Sequence, residues 1–284
     1  MKHYFSLSLI FSFVLFSFLA CNKENSNEDE QNHQDTTLIN YPFATGYCNG
    51  TSLGISIIDA SFFIPNDSDS LKSSLLLDMP TPGNQGSQSS CSAWATVFSA
   101  GNYYNHVKNG ITYNDSSCLS PAYTYNQITK GNCTCTSILD NLYLLKTQGA
   151  CTLKEMEYNS AECSIQPDSL QKSEAIRFKI QAWQKIDLHN LQFIKKAIYE
   201  KKPVLFAIVT DEGFNRLETP YIWKSKTGLA GQPHAMTIVG YDETKNSFRI
   251  MNSWSSAWAD HGFAWIDYNF FLDNVLPDGY IISQ

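Results

Sequence analysis

Positive charge is scarce in this chain of 284 residues: 20 Lys and Arg stand against 27 Asp and Glu, a net charge of −7. Without a basic footprint for phosphates, nucleic acid is not an expected partner. Charge of either sign is sparse, at 17%, beside 43% hydrophobic residues. That balance excludes a disordered chain and leaves enough apolar material for one large domain or two small ones. There is no internal repeat. There is also no comfortable membrane span, because the apolar run from Tyr4 to Leu19 is too short.

The N-terminus nevertheless has a recognisable grammar. Lys2 and His3 precede that apolar run, and small Ala20 precedes Cys21. The arrangement resembles a bacterial lipoprotein signal, with Phe18 where the pattern usually has Leu. It implies that residues 1–20 are a signal peptide and that Cys21 is lipidated, tying the exported chain to the cell envelope. Plain signal cleavage and an uncleaved hydrophobic helix are the alternatives. Residues 21–36 read as a flexible acidic tether, since 22–35 (NKENSNEDEQNHQD) are polar and without periodicity. An acidic run after such a cysteine resembles the surface-export signals of some Gram-negative lipoproteins. Residues 37–74 form an N-terminal segment, either a short pro-segment or a structural extension.

Eight cysteines occur, at 21, 48, 91, 118, 133, 135, 151 and 163. With Cys21 assigned to the anchor and Cys91 to chemistry, six remain, an even set that reads as disulfides outside the cytoplasm. The sequence does not choose among the pairings. The rival is a zinc site of Cys133, Cys135, Cys151 and Cys163, disfavoured by the one-residue gap between the first two.

The elements fall into two halves. Ala93, Val97, Ala100 and Tyr104 share one face of an expected helix over 93–107. Ser120 and Pro121 suit the cap and first position of a second. A third fits Ser137 to Thr147. A fourth fits Leu188 to Glu200, with Asp187 as cap. After Pro203, Val204 to Val209, His234 to Tyr241, Phe248 to Ser253 and Phe263 to Ile266 read as antiparallel strands. Helix-rich then strand-rich is an α+β pattern with room for two lobes and a cleft.

Three segments carry the chemistry. In Gln85-Gly86-Ser87-Gln88-Ser89-Ser90-Cys91 a cysteine opens a helix, whose unpaired N–H groups favour thiolate. Gln85 can loop back to form an oxyanion hole with the Cys91 N–H, an effect of roughly 3–4 kcal/mol per donor. In Pro233-His234-Ala235 a histidine heads an apolar strand, where it can take the thiol proton. In Met251-Asn252-Ser253-Trp254 an Asn oxygen can hold the far ring N–H of that histidine, with Trp254 covering the bond. Taken singly each residue has a bland reading: Cys91 as a buried or bridged cysteine, His234 as a structural histidine, Trp254 as a core aromatic.

The order Gln, Cys, His, Asn resembles the papain-like cysteine peptidases over roughly residues 75–270. The resemblance implies a papain-like two-lobed α+β fold, with a helical L-domain (75–180), a strand-rich R-domain (181–284) and an active-site cleft between them. It implies hydrolysis of peptide bonds through an acyl-enzyme on Cys91, with Gln85 as oxyanion donor, His234 as base and acid, and Asn252 as orienter. Protein or peptide substrates outside the cytoplasm, endopeptidase action, a monomer, and no metal or cofactor complete the expectation. The departures are Gln88 where a cysteine is common, Ser92 where Trp is common, and Cys135-Thr136 where a substrate-binding Gly-Gly pair is expected. Cys135, Thr136 and Trp254 are the expected substrate-binding residues. These differences suit a divergent bacterial branch. The alternative is a papain-fold lipoprotein that binds at the surface and is catalytically silent. Acyl transfer such as transglutamination would use the same residues.

Overall fold

The structure, a computed structural model, describes residues 43–54, 61–65 and 70–283. The expected signal peptide, Cys21 and the expected acidic tether therefore lie outside the described residues.

The helical half opens at the nucleophile candidate. Helix α1 (Cys91–Ala93) runs into a π-helical stretch, Trp94–Gly101, and on into α2 (Asn102–Asn109). The expected helix over 93–107 is thus real, but it begins at Cys91. The face predicted from spacing is buried, with Ala93, Val97 and Ala100 fully so and Tyr104 nearly so. Helix α3 (Pro121–Thr129) starts after Ser120 with Pro at its first position, as expected. Helix α4 (Ile138–Thr147) is capped by Ser137, whose side chain accepts from the Asp140 N–H. A short α5 (Ser169–Ala175) closes this half. Gly149, just past α4, has φ +85°, and a Cβ there would lie 1.8 Å from the Ala175 carbonyl oxygen, so no other residue fits.

The second half is built on one eight-stranded sheet, ordered β2 (Ala182–Lys185), β8 (Tyr280–Ser283), β3 (Val204–Asp211), β5 (Ala230–Asp242), β6 (Ser247–Met251), β7 (Phe263–Asp267) and β4 (Ile222–Trp223). The eighth strand, β1 (Ser74–Leu76), pairs with β5. All pairs are antiparallel except β4 with β7. Alternation along β3 divides the core. Val204, Phe206 and Ile208 join a cluster with Met236, Ile238, Phe248 and Trp254. Leu205 and Ala207 join the helical cluster with Cys91, Val97, Leu142 and Leu145. Helix α6 (Leu191–Tyr199) packs in the first cluster through Ile194 and Ile198. Its cap is Asn190, which accepts from the N–H groups of Gln192 and Phe193. The predicted cap, Asp187, instead accepts from the His189 N–H in the preceding turn, so the helix starts later than expected. Helices α7 (Glu212–Asn215) and α8 (Tyr268–Asn274) complete the half.

The cysteines correct the sequence expectation. Cys48 pairs with Cys135, and Cys133 with Cys163. Cys118 and Cys151 are buried free thiols, so the six candidates do not all pair. The pairing also consumes three of the four thiols of the alternative zinc set. Cys135 and Cys133, one residue apart, hold two different segments to one loop.

Candidate active site

Cys91 stands first in its helix, after Ser90, whose carbonyl accepts from the N–H groups of Ala93 and Trp94. The thiol is fully buried, and the Ala235 N–H donates to Sγ at 3.3 Å. That bond places the nucleophile candidate beside the strand that carries His234. The histidine is not at the head of its strand, as the sequence suggested, but inside the 13-residue β5, where it pairs with Ile208.

His234 Nε2 is 2.7 Å from Asn252 Oδ1. The same oxygen accepts from the Ser253 N–H at 2.7 Å, which fixes the amide with its oxygen toward the ring. Nε2 is therefore the donor, and Nδ1 is the ring nitrogen with a free lone pair. Nδ1 has no hydrogen-bond partner although the ring is fully buried. Asn252 lies immediately past the end of β6, held by its own N–H to the Gly262 carbonyl. Trp254 stacks on the imidazole at 4.7 Å and keeps water from the His234–Asn252 bond.

Gln85 is buried. Its Nε2 donates to the Gln88 carbonyl at 2.9 Å, and its Oε1 accepts from Ser253 Oγ at 2.6 Å. No hydrogen bond joins this amide to the Cys91 sulfur in the closed state seen here. Its second N–H remains available for an oxyanion. Two residues that the sequence reading did not single out hold this arrangement. Ser253, next to Asn252, ties the oxyanion candidate to the orienter candidate. Tyr158 Oη donates to the Gln85 carbonyl at 2.9 Å and lies 2.6 Å from Ser90 Oγ, bracing both sides of the loop that leads to Cys91. Adjacency to Asn252 was a signal for Ser253; for Tyr158 there was none.

The expected substrate-binding pair is occupied by the chain itself. The Thr136 N–H donates to the Gly46 carbonyl at 3.2 Å, and its carbonyl accepts from the Cys48 N–H at 3.1 Å. Cys135 is bound to Cys48. Ser92 Oγ, where Trp is common, donates to the same Thr136 carbonyl at 2.6 Å. On the opposite side the Tyr47 N–H donates to the Pro233 carbonyl, and Trp254 Nε1 donates to the Ala44 carbonyl. Phe43 stacks on Trp254 at 4.6 Å. Residues 43–48 thus cross from Trp254 to Thr136 over Cys91, with the Gly46 backbone close enough to the thiol to lower its pKa. A Cβ on Gly46 would lie 2.3 Å from the Ser89 carbonyl oxygen, so only glycine passes there.

This covering governs the electrostatics. Burial pushes the Cys91 thiol up to about 11, against the hydrogen bonds from Ala235, Ser92 and Gly46. Burial likewise lowers His234 to about 4, opposed by the Asn252 bond. As covered, the pair is a neutral thiol beside a neutral imidazole at pH 7. With solvent admitted, both burial effects weaken and the pair moves toward thiolate and imidazolium.

Comparison with known proteins agrees with this geometry. Residues 65–272 match the model of the papain family of cysteine proteases. An uncharacterized peptidase C1-like protein of Acanthamoeba polyphaga mimivirus is 26% identical over 153 residues, covering 48% of each chain. Gamete and mating-type specific protein A of Dictyostelium discoideum is 26% identical over 182 residues, 63% of this chain and 38% of that one. The chain thus spans about half or less of the length of these curated relatives. Among solved structures, xylellain, a cysteine protease from Xylella fastidiosa, superposes with a TM-score of 0.73 at 19% identity, over 86% of this chain and 97% of that one. A Carica candamarcensis cysteine protease in complex with E-64 gives 0.56 at 18% identity, over 75% of this chain and 99% of that one. With the family model matching well over half of its residues, the chain belongs to the papain family of cysteine proteases.

Proposed function

We propose that this peptidase cleaves proteins or peptides outside the cytoplasm through an acyl-enzyme on Cys91. The observation that carries the reading is the buried His234–Asn252 bond beneath Trp254, which leaves Nδ1 as the basic nitrogen, one residue before the Ala235 N–H that donates to the helix-starting Cys91. His234 takes the thiol proton, and the sulfur attacks the scissile carbonyl. The Cys91 N–H and the Gln85 amide receive the oxyanion. As the intermediate collapses, His234 returns the proton to the leaving amine. Water, with its proton taken by His234, then hydrolyses the thioester and frees the acid. Asn252 holds the ring in the tautomer these transfers need. Thr136 and Trp254 border the groove the peptide enters, with Cys135 beside it.

The reading is tested by labelling Cys91 with an epoxide inhibitor under reducing conditions and by cleavage of a denatured protein. Wild type should do both and Cys91→Ala neither. A wild type that neither labels nor cleaves overturns the reading and leaves the silent lipoprotein, the alternative suggested by Cys135-Thr136 in place of a glycine pair.

We further propose that the enzyme acts as a monomer at the cell envelope, anchored by lipid on Cys21 and with no nucleic-acid partner. Metabolic labelling with a fatty acid should mark wild type and spare Cys21→Ser.

A further inference from the structure

Residues 43–54 lie as a strap whose two ends are held differently. Downstream, the buried carboxylate of Asp140 on α4 accepts from Thr51 Oγ1, the Ser52 N–H and Oγ, and the Leu53 N–H. Upstream, residues 43–48 are held over Cys91 by four backbone-directed bonds, the stack of Phe43 on Trp254 and the Cys48–Cys135 disulfide. Between the ends, Gly50 has φ +89° with open space around it, a place where the backbone can turn. The disulfide joins residues 87 apart in sequence, so it alone binds the covering end covalently to the helical half.

The two disulfides also differ in access. Cys48 and Cys135 are both half-buried, whereas in the second bridge only Cys133 is half-buried and Cys163 is fully buried. Thiol–disulfide exchange begins at an attackable sulfur, and the strap disulfide offers two half-buried sulfurs where the second bridge offers Cys133 alone.

Building on the peptidase reading, we propose that Cys48–Cys135 is a redox latch: closed, it holds residues 43–48 over Cys91; reduced, it lets them lift about Gly50 and opens the groove without cutting the chain. The reductant is a dithiol. One of its thiolates attacks a sulfur of the bridge to form a mixed disulfide, and its second thiol displaces that bond. Two electrons and two protons end on Cys48 and Cys135, and the reductant leaves as its own disulfide. Because Asp140 keeps residues 51–53 in place, the strap remains beside the groove and reoxidation can close it again. Opening also readmits water to Cys91 and His234, so the latch controls both access and the charge state of the pair.

The test is the rate at which iodoacetamide alkylates Cys91 at pH 7.5, read by peptide mass spectrometry. Oxidised wild type should label at least about tenfold more slowly than protein in which dithiothreitol has opened Cys48–Cys135 and left Cys133–Cys163 intact, a change matching a tenfold larger open population. Reoxidation should restore the slow rate. Cys48→Ser should label fast without any reductant. Gly46→Val, which cannot seat against Ser89, should label fast with the disulfide closed. The reduction and reoxidation arm needs no substitution, so a misfolded variant does not rescue the idea. Oxidised wild type labelling as fast as reduced protein overturns the latch. If Cys91 labels fast on reduction yet no denatured protein is cleaved, the latch stands and the peptidase reading falls.

Discussion

Acid should destabilise the covered form through His234, by an amount the structure sets. In the unfolded chain this histidine protonates near 6.5, and in the folded chain only near about 4, because the ring is fully buried. Between those values the unfolded state binds the extra proton, so the contribution is fully present above pH 6.5 and lost as pH falls toward 4. The gap of about 2.5 in pKa, at about 1.4 kcal/mol for each, makes about 3 kcal/mol in all. At pH 4.5 about 2–3 kcal/mol of that is already gone, a sizeable part of a typical stability of about 5–15 kcal/mol. The assay is urea unfolding at pH 7.5 and 4.5 in a Cys91→Ala background, which prevents self-cleavage, with and without His234→Gln. Glutamine can still donate to Asn252 but does not titrate, while every carboxylate is common to both proteins. The loss on acidification should be smaller in His234→Gln by about 2–3 kcal/mol. Equal losses would refute the claim that the imidazole is buried and neutral.

Asn252→Ala should leave both ring nitrogens of His234 unpartnered, costing about 1–3 kcal/mol in urea unfolding and slowing cleavage by about 10²–10⁴. Gln85→Ala should lower kcat by about 10²–10³, while alkylation of Cys91 by iodoacetamide, which builds no oxyanion, keeps its rate. Gly149→Ala should lower the unfolding free energy measured in urea by about 2 kcal/mol or more, since its Cβ meets the Ala175 carbonyl at positive φ. The pH profile of alkylation should change shape with the strap. Oxidised protein should label appreciably only as pH rises toward the Cys91 value of about 11, whereas reduced protein should already label fast near neutrality and keep its rate as pH rises further, because the thiolate persists once formed; the same profile in both would count against the covering.

The candidate catalytic set could be picked out because each member needs a local context that sequence displays. A cysteine starts a helix, a histidine lies in an apolar strand, and an asparagine follows another strand and precedes Trp254. Helix faces were legible for the same reason: Val97, Ala100, Leu142 and Leu145 recur at helical spacing and are fully buried. Boundaries set by competing side chains were not. Asp187 and Asn190 are both good caps, and only packing through Ile194 and Ile198 decides that the helix begins at Leu191. The second pair of residues in the site, Ser253 and Tyr158, acts on Gln85 across 168 and 73 residues of chain, a separation that no periodicity encodes. The disulfides were hidden likewise, since the partner of Cys135 lies 87 residues upstream.

The strap shows why a full set of candidate catalytic residues does not by itself make a competent site. Every role has a candidate, yet burial separates the two pKa values in the wrong direction, with the thiol high and the imidazole low. A thiolate–imidazolium pair needs the opposite order, and hydration is what can restore it. The covering contacts are therefore more than an obstacle to substrate. Gly46 and Tyr47 exclude the water that would charge the pair, and they do so with backbone bonds to Thr136 and Pro233, groups an extended peptide could use in their place. A substrate that displaces the strap would itself exclude bulk water, so the proton must pass from Cys91 to His234 before the groove closes over the peptide. That ordering makes the opening step, and with it the Cys48–Cys135 bond, the point at which activity is decided.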